Sequence, residues 1–361
     1  MASWWREFCD WFWQKEVWLP PGFTWEKLKH PNTPYYPEFY DVLTYPFLFA
    51  FILIFLRYFV FDPIIFNPVG RMLGCKDIKP HRPANIPILE DIYVKFRKKA
   101  PRDVILQVSE TVSLTERQVE RWLRQRAASD RVTELFKFRD AAFQWLYYVC
   151  YCAFGLYVLY DKPWLWDIKH CWYGFPTQPL TNDLWWYYII PLSFYWAMTF
   201  TFLWSHRRKD SLQMFIHHIL TIFLIVFSWA VNLIRGGSLV LIVHECADIP
   251  LLMAKMCEYT GHADMMDPFF VIFILLWVAT RIGLFPFWIL RSTMFEAHVI
   301  LNMWYPIYYI FNGMLLLLLI IHFIWTYFII KILVHKLMHN EISDVLSSDE
   351  ASEKENIDKK D

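Results

Sequence analysis

The chain has 361 residues, of which 57% are hydrophobic and 20% aromatic but only 19% charged, against about 25% charged in an ordinary soluble domain. That composition excludes a soluble globular domain and implies an integral membrane protein. Formal net charge is zero, yet the charges are segregated: Arg71 to Arg139 holds 16 Lys/Arg against 9 Asp/Glu, and acids dominate beyond Asn340.

The first 41 residues are rich in Trp and Pro and contain no cleavable apolar core, so no signal peptide is expected and targeting falls to a membrane segment. Apolar windows of about 20 residues, the length that crosses ~30 Å of hydrocarbon at ~1.5 Å per residue, follow at 42–61, 142–160, 185–204, 213–232, 237–256, 268–290 and 302–330. They predict an all-α fold of about seven transmembrane helices. Tyr and Trp dilute the second and third, and the last is long enough to tilt or protrude. The Arg71–Arg139 stretch, the His206-Arg207-Arg208-Lys209 loop and the chain from Lys331 onward fall on one side if every window spans. The positive-inside rule makes that side cytosolic. The N-terminus and the loop from Trp164 to Trp185 are then lumenal and the C-terminal tail cytosolic. Seven cysteines without paired spacing read as small buried hydrophobes rather than a disulfide framework.

The candidate site lies in the fourth and fifth windows. His217 and His218 sit inside QMFIHHILTIFLIVFSWAV, and about one crossing later comes His244-Glu245-Cys246-Ala247-Asp248. An Asp near the centre of a spanning helix costs roughly 2.5 to 3.5 kcal/mol to insert, so such groups mark functional pathways. His244 and Asp248 are spaced i, i+4 and Glu245 and Asp248 i, i+3, which on one uninterrupted helix places all three on a face that can meet the histidine pair. A carboxylate beside an imidazole makes the histidine a general base or a nucleophile, the equipment of acyl or proton transfer. Arg281, in the sixth window, is expected either to neutralise Glu245 or Asp248 or to receive an anionic group of a substrate. His244 is as well explained by an interhelical hydrogen bond as by a role in substrate binding.

The segment HRRKDSLQMFIHHILTIFLIVFSWAVN followed by HECADIP resembles the Lag1 motif of ceramide synthases, within the membrane domain shared by TRAM, Lag1 and CLN8 proteins. The resemblance extends through TERQVERWLRQR, GLFPFWIL, STMFEAH and the SSDEASEKE tail, and so covers nearly the whole chain from Asn67. It implies a lumenal segment at 1–41, a first transmembrane helix at 42–62, a cytosolic homeobox-like region at 70–133, a TRAM/Lag1/CLN8 catalytic domain of six helices at 134–338, and an acidic cytosolic tail at 339–361. It also implies N-acylation: a sphingoid base takes a fatty acyl group from acyl-CoA, giving (dihydro)ceramide and CoA, with no cofactor and no metal. His217 is then the attacking or base residue, His218 assists, and Glu245 and Asp248 polarise the pair. Glu245 stands where family members often carry Asp. Arg207, Arg208 and Lys209, at the cytosolic mouth, are expected either to meet the CoA phosphates or to act only as the positive-inside topology signal. By resemblance the site is in the endoplasmic reticulum membrane, the short lumenal loop Leu290 to Ile300 governs acyl-chain length, Ser347, Ser348 and Ser352 are phosphorylated, and a homo- or hetero-dimer is possible. In QVERWLRQRAA the position that reads adenine in a homeodomain holds Gln125, so DNA is an unlikely partner and contact with membrane lipid fits the basic region better. The competing class is a non-catalytic membrane lipid sensor or transporter built on the same domain.

Overall fold

The computed structural model describes residues 2–28, 37–97, 100–130, 132–204, 211–302 and 306–339, and among them there is no strand. A short helix α1 (Ala2–Phe12) precedes the long α2 (Phe39–Met72), which widens to i→i+5 hydrogen bonding over Arg57–Phe66, around Pro63. Three short helices follow, α3 (Pro87–Phe96), α4 (Arg102–Val112) and α5 (Glu116–Ser129). The rest is a bundle of α6 (Glu134–Leu159), α7 (Asn182–Trp204), α8 (Ser211–Ala230), α9 (Ile234–Glu245), α10 (Asp248–Thr260), α11 (Ala263–Leu301) and α12 (Pro306–His339).

Among the described residues each of the seven apolar windows falls largely on helix. Six helical stretches among the described residues are long and apolar enough to cross a membrane: α2, the stretch ending at Leu159, α8, α9 with α10, α11 and α12. The 185–204 window, α7, falls outside that group because Trp185, Trp186, Tyr187, Tyr188, Tyr195 and Trp196 lower its mean hydropathy. It is nevertheless central, packed along α2 and against α6 and α8, with Tyr187, Tyr188, Ile189 and Leu192 fully buried.

Two buried ion pairs fasten α2 to α6: Arg57 to Asp140 at 2.7 Å and Arg139 to Asp62 at 3.8 Å. Removing one partner of such a pair strands a charge in the bundle, which is why the pairs specify how the first helix docks. At the opposite end of the bundle the 160–181 connection folds into a cap. Trp164 donates to Ser238 Oγ (3.1 Å), Trp172 to Ser292 Oγ (3.0 Å), and Asn232 Nδ2 to the carbonyls of Pro176 and Gln178 (2.7 and 2.9 Å). Phe12, Trp13 and Trp18 from the N-terminal segment pack tilted or edge-on against Phe227 at that same end of α8.

The segment expected as a loop, Leu290 to Ile300, is helical instead and carries α11 onward to Leu301. It contains neither Gly nor Pro, and Glu296 ties back to Arg291 (2.8 Å) and Ser292 (2.9 Å), so nothing ends the helix before Asn302.

The 87–129 helices form their own small core of Leu89, Tyr93, Val119, Trp122 and Leu123. Thr115 and Gln118 close a capping box at the start of α5. Burial pushes the Glu90 carboxyl up, but the hydrogen bonds and charges of Arg126 and Arg82 outweigh it and hold the group below the usual carboxylate range. Gln125 lies on the exposed face of α5.

Candidate active site

One face of α8 carries His217, Thr221, Leu224, Ile225 and Ser228, repeating at the three-and-four spacing of a helix, and all five line one elongated cavity that Val231 of the following turn also lines. The 11 steps from His217 to Ser228 rise roughly 17 Å along the helix axis. The turn after Ala230 sends α9 back antiparallel, so Gly237, Val240, Leu241, His244 and Glu245 line the opposite wall in reverse order. His217, His244 and Glu245 therefore gather at one end. Trp172, Phe175, Thr293, Ala297, Leu301 and Tyr308 lie at the other, beneath the 160–181 cap. Apart from those three groups the walls of the cavity are mainly aliphatic and aromatic. A single leaflet of a ~30 Å hydrocarbon core is ~15 Å deep, so a space this long accepts an ordinary or longer lipid chain.

The histidine pair does not act as a unit facing the cavity. Neighbouring residues on a helix point about 100° apart. His217 lines the cavity with its ring 5.1 Å from Trp325, whereas His218 is 6% exposed, turned toward Tyr195 at 5.8 Å, and absent from the lining. Nδ1 of each ring is buried without a hydrogen-bond partner.

The acids also separate. α9 passes into α10 through Cys246 and Ala247, whose backbones stay in the right-handed helical region, so His244, Glu245 and Asp248 belong to one spanning stretch but take different partners. Arg281 lies against this junction. Its guanidinium donates to the carbonyls of His244 and Val243 and to Asp248 Oδ2 at 3.1 Å. Asp248 is thus the partner of Arg281, one of the two pairings expected from the sequence. Glu245, 1% exposed, has neither carboxylate oxygen hydrogen-bonded and stands on the cavity wall. A buried carboxylate with no cationic partner is costly, and the arrangement is best satisfied by a cation arriving from outside the chain.

His244 Nδ1 lies 2.6 Å from the Val240 carbonyl, and its ring packs at 4.8 Å from Phe285 and 4.9 Å from His322. His322 was not singled out from the sequence, where it is one polar letter in LLLLLIIHFIWTYF. It is fully buried with both ring nitrogens unpartnered. The signal was present, since an ionisable group in a spanning helix is rare; only packing shows that it backs His244. Arg207, Arg208 and Lys209 lie outside the described residues, as do Ser347, Ser348 and Ser352. No group of three or more His, Cys, Asp or Glu side chains among the described residues is arranged to hold a metal ion.

Residues 137–331 match the TRAM/LAG1/CLN8 family, the TLC domain. The chain is 37% identical to ceramide synthase 3 of Homo sapiens over 344 residues, covering 95% of this chain and 88% of that protein. It is 34% identical to Homo sapiens ceramide synthase 5 over 349 residues (96% and 88%) and 34% identical to ceramide synthase 4 over 356 (96% and 88%). A buried imidazole and carboxylate at the head of a lipid-length cavity, on a TLC domain and with near full-length similarity to three such enzymes, make this chain a member of the ceramide synthase family.

Proposed function

We propose that the protein transfers a fatty acyl group from acyl-CoA to the amine of a sphingoid base and that His217 and Glu245 divide the chemistry. The observation that carries this reading is that both line the same end of a cavity whose remaining length suits one hydrocarbon chain. His217 attacks the thioester carbonyl through a ring nitrogen; the CoA thiolate leaves and takes up the proton given up by the ring, so that free CoA and an acyl-imidazole result. The acyl chain lies along Thr221, Leu224, Ile225 and Leu315. Glu245 then pairs with the incoming ammonium and accepts one of its protons. The freed amine attacks the acyl-imidazole, the C–N bond to the ring breaks, and the second amine proton returns to the imidazole. His218, packed on Tyr195, holds α8 in register and supports His217. Asp248 positions Arg281, which stabilises the carbonyls at the end of α9.

The same reading places Arg207, Arg208 and Lys209 at the cytosolic mouth, facing the CoA phosphates. It sets the protein in the endoplasmic reticulum membrane with N-terminus lumenal and C-terminus cytosolic, open to dimer formation and phosphorylation of the tail. The 70–133 region contacts anionic lipid rather than DNA.

The experiment supplies acyl-CoA and sphinganine to membranes holding wild type, His217→Ala and His218→Ala. It measures both N-acyl product and protein-bound acyl group before the base is added. His217→Ala is expected to lose both, and His218→Ala to retain bound acyl at reduced product. Equal product from all three proteins overturns the assignment.

A further inference from the structure

The reaction joins two long-chain lipids, yet the inner cavity is one elongated space with a single carboxylate and two imidazoles at its head. A second apolar space lies on the outside of the bundle, between α2, α6 and α7. Leu53 and Phe61 form one wall, Leu146, Tyr147 and Cys150 the other, and Ile190 the floor. Cys150 is exposed on it, and in a membrane that surface faces hydrocarbon.

Only a short stack of rings parts this groove from the site. The Tyr147 ring lies 3.5 Å from Phe194 and parallel to within 2°; Phe194 is 6.2 Å from Tyr195; Tyr195 is 5.8 Å from His218 and 6.4 Å from His217, and it lines the inner cavity. Tyr147 lines the groove, and its hydroxyl is buried without a hydrogen-bond partner. Both Glu245 oxygens, on the inner cavity's wall, are unsatisfied as well. A buried hydroxyl left unpaired costs about 1 to 3 kcal/mol. A ligand bearing an ammonium and hydroxyls at the head of one alkyl chain satisfies both groups and fills the groove.

We propose that the groove between α2 and α6 is the docking site of the sphingoid base, whose alkyl chain lies against Leu53, Phe61 and Leu146 while its polar head passes Tyr147 to reach Glu245. The proposal rests on the acyl-transfer reading above and assigns the second substrate its own route. The first helix, outside the matched domain, becomes a wall of a substrate site, which explains why buried ion pairs hold it to α6. Tyr147 is a positioning residue of this route, and Leu53, Phe61 and Leu146 set its width.

The test uses the full-length protein in membranes and a sphinganine carrying a diazirine in its alkyl chain. After photolysis the label is expected on peptides spanning 53–61 and 143–154. Unlabelled sphinganine at ten times its KM should reduce it about tenfold, while added phospholipid leaves it unchanged. Leu146→Trp, which fills the groove, should raise KM for the base about tenfold while KM for acyl-CoA and the amount of acyl group bound at His217 stay at wild-type values. Label confined to the inner cavity wall, label displaced by phospholipid, or a Leu146→Trp protein with wild-type KM for the base overturns the proposal. Loss of bound acyl group in wild type would instead overturn the acyl-transfer reading, so the two failures are told apart.

Discussion

The residue that most constrains the mechanism is Glu245, because its two oxygens have no partner in the protein while Asp248, three positions on, is held by Arg281. The two acids therefore respond differently to substitution. Glu245→Gln should leave acyl-imidazole formation intact and slow the second half-reaction by about 10²- to 10⁴-fold, the range for loss of a proton acceptor, as read by single-turnover transfer from pre-acylated protein. Asp248→Asn removes the charge partner of a 4% exposed arginine. That should destabilise the fold by on the order of 3 kcal/mol, seen as a lower midpoint of thermal unfolding in detergent, with acylation falling in proportion to folded protein. Gly237 sets a different limit. A Cβ there would overlap the Tyr188 hydroxyl, which donates to the Ile234 carbonyl at 3.0 Å. Gly237→Ala should cost about 1 to 3 kcal/mol by overpacking, and Gly237→Ala with Tyr188→Phe should recover part of the loss in the same thermal assay.

Elements carry properties that no one residue does. The helical extension of α11 puts Thr293 and Ala297 on one face, four positions apart, at the far end of the inner cavity. A larger side chain at the 2% exposed Ala297 shortens that space, so Ala297→Phe should shift acyl-CoA preference toward shorter chains, measured as the ratio of kcat/KM for two acyl-CoAs; an unchanged ratio would disconnect this segment from chain length. In the 87–129 helices the Thr115 cap is worth about 1 kcal/mol, and Thr115→Ala should speed hydrogen exchange throughout α5. Because Glu90 is held below its ordinary range, its ion pairs stabilise this module above the unfolded value of about 4.3, and that stabilisation is lost as pH falls through the lower folded value. Exchange protection in 87–129 of the full-length protein should accordingly drop below about pH 4 while protection in α8 is retained.

At the scale of the molecule, the site depends on helices that reverse direction. His217 on α8 meets His244 and Glu245 on α9 because the turn at 231–233 is short, and Leu318 of α12 completes the wall beside them. The N-terminal segment and the 160–181 cap share the end of the bundle remote from this site. If the site end is cytosolic, Lys95→Cys should react with an impermeant thiol reagent in sealed microsomes and Glu7→Cys should react only after detergent, each in a background free of reactive native thiols. The reverse pattern inverts the orientation.

Much of this was legible in the residues. Apolar run length marked the helices, because crossing a fixed thickness demands a fixed number of residues whatever packs beside them. The rarity of ionisable groups in such runs pointed to His217, Glu245 and Arg281, and motif order pointed to the family. Spacing alone did not decide which acid Arg281 takes, since the arginine lies 33 positions beyond Asp248 and reaches it only across the packed helices. Sequence reasoning also set both His217 and His218 at the reacting centre, passed over His322 and expected a loop at 290–300. Which of two adjacent histidines sees the cavity, which acid stays free and which groove faces the lipid depend on contacts between distant helices, and those are decided only when the helices pack.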